Sequence, residues 1–121
     1  MGRTNNQIKR GEVWVADLRP GTGWEIAKKR PVLIISVNAI NDNLRTIIVI
    51  PISSQKTVAS IDAVFLPHNS SGLKKDSVVL TAAIRAIDKS RLVKKAGRIT
   101  KSELNKVEES IKVVLGFTNE N

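Results

Sequence analysis

Arg30 stands directly before Pro31 at the end of a stretch, residues 19–31, that also carries Trp24, Glu25, Lys28 and Lys29. A guanidinium offers phosphate oxygens a fixed fork of donors and stays protonated at neutral pH, so it stabilises anionic charge well and serves poorly as a general base. Pro31 stiffens its exit, and Pro20, Gly21 and Gly23 set turn geometry at the start of the stretch. Without a metal, such a group suits phosphodiester cleavage in which the substrate brings its own nucleophile, as RNA does through its 2′-OH. The protein then has to hold that hydroxyl in line, neutralise the pentacovalent phosphate and help protons move. The plainer alternatives are a salt bridge at a strand entrance for Arg30 and a solvated hairpin tip for the stretch as a whole.

A second group follows Pro51: Ser53, Ser54 and Gln55. Hydroxyls emerging at a strand end can bind a phosphate and Gln55 can read a base edge, although Ser-Ser-Gln is also ordinary turn composition. Trp24 can stack on an unpaired base, as RNA-binding surfaces often require, or cap the core. Glu25 can act as a general base or base-edge acceptor, or merely balance Lys28 and Lys29.

Counting excludes other chemistries. The chain has 121 residues, no cysteine and a single histidine, His68. Disulfides, thiolate metal sites and paired-histidine catalysis are therefore absent, and His68 reads as an exposed turn residue. No glycine-rich phosphate loop occurs and the carboxylates are scattered, which disfavours a metal-dependent nuclease. Lys and Arg number 20 against 11 Asp and Glu, a formal charge of +9 and a pI near 10.3. That balance points toward polyphosphates or an acidic protein partner. No apolar run has the length of a membrane span and the first ten residues hold no signal-peptide core, so a cytoplasmic location is expected.

These residues need a scaffold to meet. Residues 12–18, 32–35, 46–50, 61–66 and 76–81 read as strands from their β-branched and aromatic content, with 32–35 apolar throughout, as in a strand buried on both faces. Pro51 should mark a bulge, an edge or a strand end. Residues 38–45 and 67–75 are dense in turn formers, with Gly72 available for positive φ. Residues 82–91 read as irregular or as one further short strand, and 92–99 as another strand. Thr100 and Glu103 match a capping box; Leu104, Val107, Ile111, Val114 and Leu115 form one helical face, and Gly116 is placed to stop the helix. The pattern is one domain over residues 1–121, with residues 1–8 as a frayed tail. Its fold class is mainly β with a C-terminal helix (α+β), as a small antiparallel barrel or sandwich.

Taken in order, several blocks resemble the MazF/PemK family of toxin endoribonucleases. They are residues 10–18 (RGEVWVADL), the loop ending RPVLII at 30–35, VIPISSQ at 49–55, KDSVVL at 75–80, and IRAIDKSRL at 84–92. The resemblance covers roughly residues 9–117. It implies a small SH3-like antiparallel barrel of the MazF/CcdB type that acts as a homodimer. It also implies metal- and cofactor-free cutting of single-stranded RNA at short sequences, leaving a 2′,3′-cyclic phosphate and a 5′-OH. An acidic antitoxin of the MazE type would neutralise it, and operator DNA would be met only through that complex, with no membrane involved. The loop arginine before proline corresponds to Arg30, the loop glutamate to Glu25, and the hydroxyl residue after the hydrophobic-proline pair to Ser53, where relatives often carry Thr. Ala82 occupies a place where some relatives carry an acid. Trp24, Lys28 and Lys29 would help set which RNA is bound, beside Ser54 and Gln55. Two other classes stay open: a non-enzymatic toxin of the same fold that poisons DNA gyrase, as the CcdB family does, and a plain basic nucleic-acid-binding barrel.

Overall fold

The computed structural model describes residues 7–18, 29–54 and 61–118. Seven strands and three helices follow the chain: β1 (Glu12–Asp17), β2 (Lys29–Ile34), α1 (Asn38–Asn43), β3 (Thr46–Ser53), β4 (Ala63–Leu66), α2 (His68–Ser71), β5 (Ser77–Leu80), β6 (Arg85–Asp88), β7 (Leu92–Arg98) and α3 (Lys101–Val114). The strands run in the order β4-β5-β3-β2-β1-β7, with β6 pairing β3 beside β5. Every pairing is antiparallel. Among the described residues β4 and β7 end the path without pairing each other, so the barrel-like sheet is open between them. α2 spans that gap: Gly72, just past its end, and Gly97 on β7 pass so close that a Cβ on either would collide with the other segment's backbone.

The alternation of β2 and β3 explains why both carry continuous apolar runs. Leu33, Ile50 and Ile52 face a core cluster built with Val13, Leu66, Val79 and Val107 of α3. Val32, Ile34, Ile47 and Val49 face the opposite way, into a second cluster with Ile8, Ala16, Leu18 and Ile87. Ile8 is buried there, so the chain is anchored from that residue rather than frayed through it. Residues 1–6 lie outside the described residues.

Three expectations change. β3 runs through Pro51 to Ser53 instead of stopping. On one side Pro51 stays paired with Val32 of β2. On the other, β6 partners residues as far as Val49 and β5 begins at Ile52, so the missing amide falls where β3 changes partners. Residues 38–43 form a helical turn and a half because Asn41 is buried. Its Nδ2 donates to the Ser36 carbonyl at 2.9 Å, and the Ser36 hydroxyl donates to its Oδ1 at 2.5 Å. The segment after Pro67 contains the short α2 before Gly72 takes φ +84°.

α3 forms as its sequence requires. The Glu103 amide donates to Thr100 Oγ1 at 3.0 Å, and Glu103 Oε1 accepts from the Thr100 amide at 2.9 Å. At the far end Gly116 is left-handed; the Phe117 amide donates to the Lys112 carbonyl and the Gly116 amide to that of Val113, a Schellman closure. Leu104, Val107 and Ile111 pack on the first cluster, but Leu115 caps the helix and is exposed, so the apolar face is shorter than its spacing suggests.

Candidate active site

Arg30 lies in β2 opposite Ala16 of β1, partly buried, and Lys29 lies exposed opposite Asp17. β2 and β3 pair Val32 with Pro51, Leu33 with Ile50 and Ile34 with Val49. Continuing that register by two residues sets Arg30 opposite Ser53, where facing side chains start about 5 Å apart. The two therefore share a sheet face, the one away from the first core cluster. The carry of β3 past Pro51 makes this meeting possible.

The guanidinium of Arg30 makes no hydrogen bond or ion pair with a described residue. Arg10, at the opposite end of the same strands, is engaged: its Nε donates to the Ile35 carbonyl at 2.9 Å and its Nη2 meets Glu108 at 2.8 Å. Among the described residues a salt bridge is made by Arg10 and none by Arg30. A partly buried arginine at a sheet end with its fork unspent is suited to receive an anion from solvent.

Ser53 pairs with Val78 of β5, and Ser54 is exposed immediately beyond the strand. Trp24, Glu25, Lys28 and Gln55 lie outside the described residues, so the arrangement that can be stated is Arg30, Lys29, Ser53 and Ser54. Ala82 is exposed on a 3-10 turn, Thr81–Ala83, that follows β5. That turn is fixed by buried Thr81, whose hydroxyl meets Ser110 of α3 at 2.6 Å, while the Ser110 hydroxyl donates to the Ile61 carbonyl at 3.1 Å. No cluster of three metal-ligating side chains occurs among the described residues.

His68 is exposed, as its turn composition suggests, and its Nδ1 lies 2.8 Å from Asp76 Oδ1, a partner that sequence reasoning did not supply. Glu12 is a buried carboxylate. Burial pushes its pKa up, but hydrogen bonds from Trp14 Nε1 at 2.9 Å and the Lys9 amide at 3.0 Å, with the Lys95 ammonium at 2.9 Å, more than offset this and hold it below the ordinary carboxylate value. With both oxygens engaged, it ties the start of β1 to β7. Phe65, in the β4 position facing away from the first core cluster, was also missed; the signal available was its place in the alternation of residues 63–66.

Comparison with known proteins gives the chain a family and its fold a set of relatives. A family profile described as "PemK-like, MazF-like toxin of type II toxin-antitoxin system" matches residues 9–115. The chain is 36% identical over 110 residues to an endoribonuclease MazF2 of Mycobacterium bovis, covering 89% of this chain and 96% of that one. It is 37% identical over 111 residues to the endoribonuclease EndoA of Bacillus subtilis, covering 91% and 96% respectively. Its fold matches a MazE-MazF crystal structure from Deinococcus radiodurans with a TM-score of 0.76 at 24% identity, over 93% of this chain and 98% of that one. The chain belongs to the PemK-like, MazF-like family of type II toxin–antitoxin toxins.

Proposed function

We propose that this toxin is a sequence-specific, metal-independent endoribonuclease that cuts single-stranded RNA in the cytoplasm and is neutralised by an acidic antitoxin of the MazE type. One observation carries the chemistry: the β2–β3 register, continued two residues past Val32 and Pro51, sets opposite Ser53 an arginine that is tied to no described side chain. The 2′-oxygen attacks the adjacent phosphorus, its proton leaves to a base, and the phosphorus–O5′ bond breaks as the 5′ oxygen gains a proton. The products are a 2′,3′-cyclic phosphate and a 5′-OH. Arg30 stabilises the phosphorane and donates toward the leaving oxygen; Ser53 hydrogen-bonds the scissile phosphate. Glu25 is the candidate base. Trp24, Lys28, Lys29, Ser54 and Gln55 line the path that selects RNA, and the active unit is a homodimer.

The EndoA and MazF2 relatives named as endoribonucleases support the activity, and the MazE-MazF structure supports the partner. The exposed Val113, Leu115 and Phe117 at the end of α3 favour a second possibility, a gyrase-poisoning toxin acting through that end. Such a toxin has no use for Arg30 in register with Ser53. The two part in one assay, with purified protein, single-stranded RNA and EDTA. The ribonuclease yields cyclic-phosphate and 5′-OH ends, and a single 2′-deoxy substitution at the cut nucleotide stops cleavage there. Unchanged cutting at the deoxy position, or no cutting of any RNA, would refute the proposal.

A further inference from the structure

β4 sends Val64 and Leu66 into the first core cluster and Phe65 to the other side, where the ring is 57% exposed. That side is the face of Arg30 and Ser53. Phe65 pairs with Val78, Val78 pairs with Ser53, and Ser53 stands opposite Arg30 in the continued β2–β3 register. Arg30, Ser53, Val78 and Phe65 therefore form a row across four strands, one residue from each. One pleat away, the paired residues Val32 with Pro51 and Ala63 with Leu80 make a parallel row without a polar side chain. A charged and hydroxylated end is thus followed, past buried Val78, by an exposed aromatic ring.

Single exposed apolar residues are ordinary on protein surfaces, and placement is what sets this one apart. Of the three described aromatic residues, Trp14 packs on the second core cluster with its N–H given to Glu12, and Phe117 follows α3. Phe65 alone stands in the Arg30 row. β4 ends the strand path, so no further strand among the described residues pairs with it. Adjacent strands lie about 4.8 Å apart, which puts Phe65 roughly 10 Å from Ser53 and about 14 Å from Arg30 along the row. A phosphate held at Arg30 and Ser53 leaves a neighbouring nucleotide within reach of the exposed Phe65 ring.

Resting on the ribonuclease chemistry proposed above, we infer that Phe65 is a stacking platform for an unpaired RNA base beside the scissile phosphate. Every base has a π face, so the ring supplies affinity and sets the strand's direction across the sheet while leaving the choice of base to other groups. It holds substrate and transition state alike, and its loss should raise the half-saturating concentration without slowing the bound complex.

The test is single-turnover cleavage of single-stranded RNA in EDTA across a range of protein concentrations, with wild type, Phe65→Ala, Phe65→Leu, Phe65→Trp and Arg30→Ala. Phe65→Ala and Phe65→Leu should raise the half-saturating concentration on the order of tenfold with the saturating rate nearly unchanged. Phe65→Trp should restore it and show fluorescence quenched by bound RNA. If wild type cleaves and either Phe65→Ala or Phe65→Leu saturates as wild type does, the stacking role is overturned while the proposed activity stands. Unaltered RNA saturation with weakened self-association in sedimentation would assign the ring to a contact between copies of the chain and overturn the role equally. A wild type that cleaves nothing, or an Arg30→Ala variant as active as wild type, would overturn the proposed function itself.

Discussion

Arg10 and Arg30 flank the same pair of strands, and their partners separate structure from chemistry. Arg10 is held by Glu108 and the Ile35 carbonyl, tying α3 to the sheet, whereas Arg30 is tied to no described side chain. Glu12 makes the same distinction among the acids. Its carboxylate is saturated by Trp14, the Lys9 amide and Lys95, so it locks β1 to β7 and is not available as a base. Because its folded pKa is depressed, its stabilisation is complete above the unfolded value of about 4.3 and is lost as pH falls through the lower folded value. Glu12→Gln should cost about 1–2 kcal/mol at pH 7 by urea unfolding and progressively less below about pH 4. Stability curves that stay parallel from pH 7 to pH 3 would refute that account. The ion pairs of Glu12 with Lys95 and of Arg10 with Glu108 were not legible in the sequence, because Lys95 and Glu108 lie far along the chain from Glu12 and Arg10.

At the scale of elements, what the sequence disclosed was what is encoded locally. The capping box of Thr100 and Glu103, the spacing of Leu104, Val107 and Ile111, and the stop at Gly116 all sit within α3 and needed no distant partner. α1 escaped because its asparagines are poor helix formers and its hold comes from Ser36 bonding Asn41. The run of β3 through Pro51 escaped for a related reason: proline is barred only where a ladder needs its amide, and the change from β6 to β5 removes that need. The close passage of α2 over β7 was equally hidden. Gly97 has no positive φ to announce it, yet a Cβ there would meet the Ser71 carbonyl. Gly97→Ala should lower stability by about 3 kcal/mol in denaturant unfolding. Gly116→Ala, at φ +77° but with open space around it, should lose only about 1 kcal/mol. Equal losses at the two glycines would mean that the passage does not constrain the fold.

The whole molecule turns these local features into a site. A formal charge of +9 draws RNA to the surface without choosing where it is cut. Under the proposed function the place is set by a sheet whose central strands are buried on both faces, and whose β2–β3 register, continued two residues past Val32 and Pro51, sets Arg30 opposite Ser53 at one end. Each residue was visible in the sequence as a candidate. Their pairing was implied by family resemblance and becomes physical only through the strand register. The most direct test of the central claim is the single-turnover rate of RNA cleavage in EDTA at saturating protein, for wild type and Arg30→Ala. Losing this guanidinium should slow cleavage by on the order of 10²- to 10³-fold with thermal stability little changed, because Arg30 is tied to no other described side chain. An Arg30→Ala protein that folds normally and cuts RNA at the wild-type rate would contradict it.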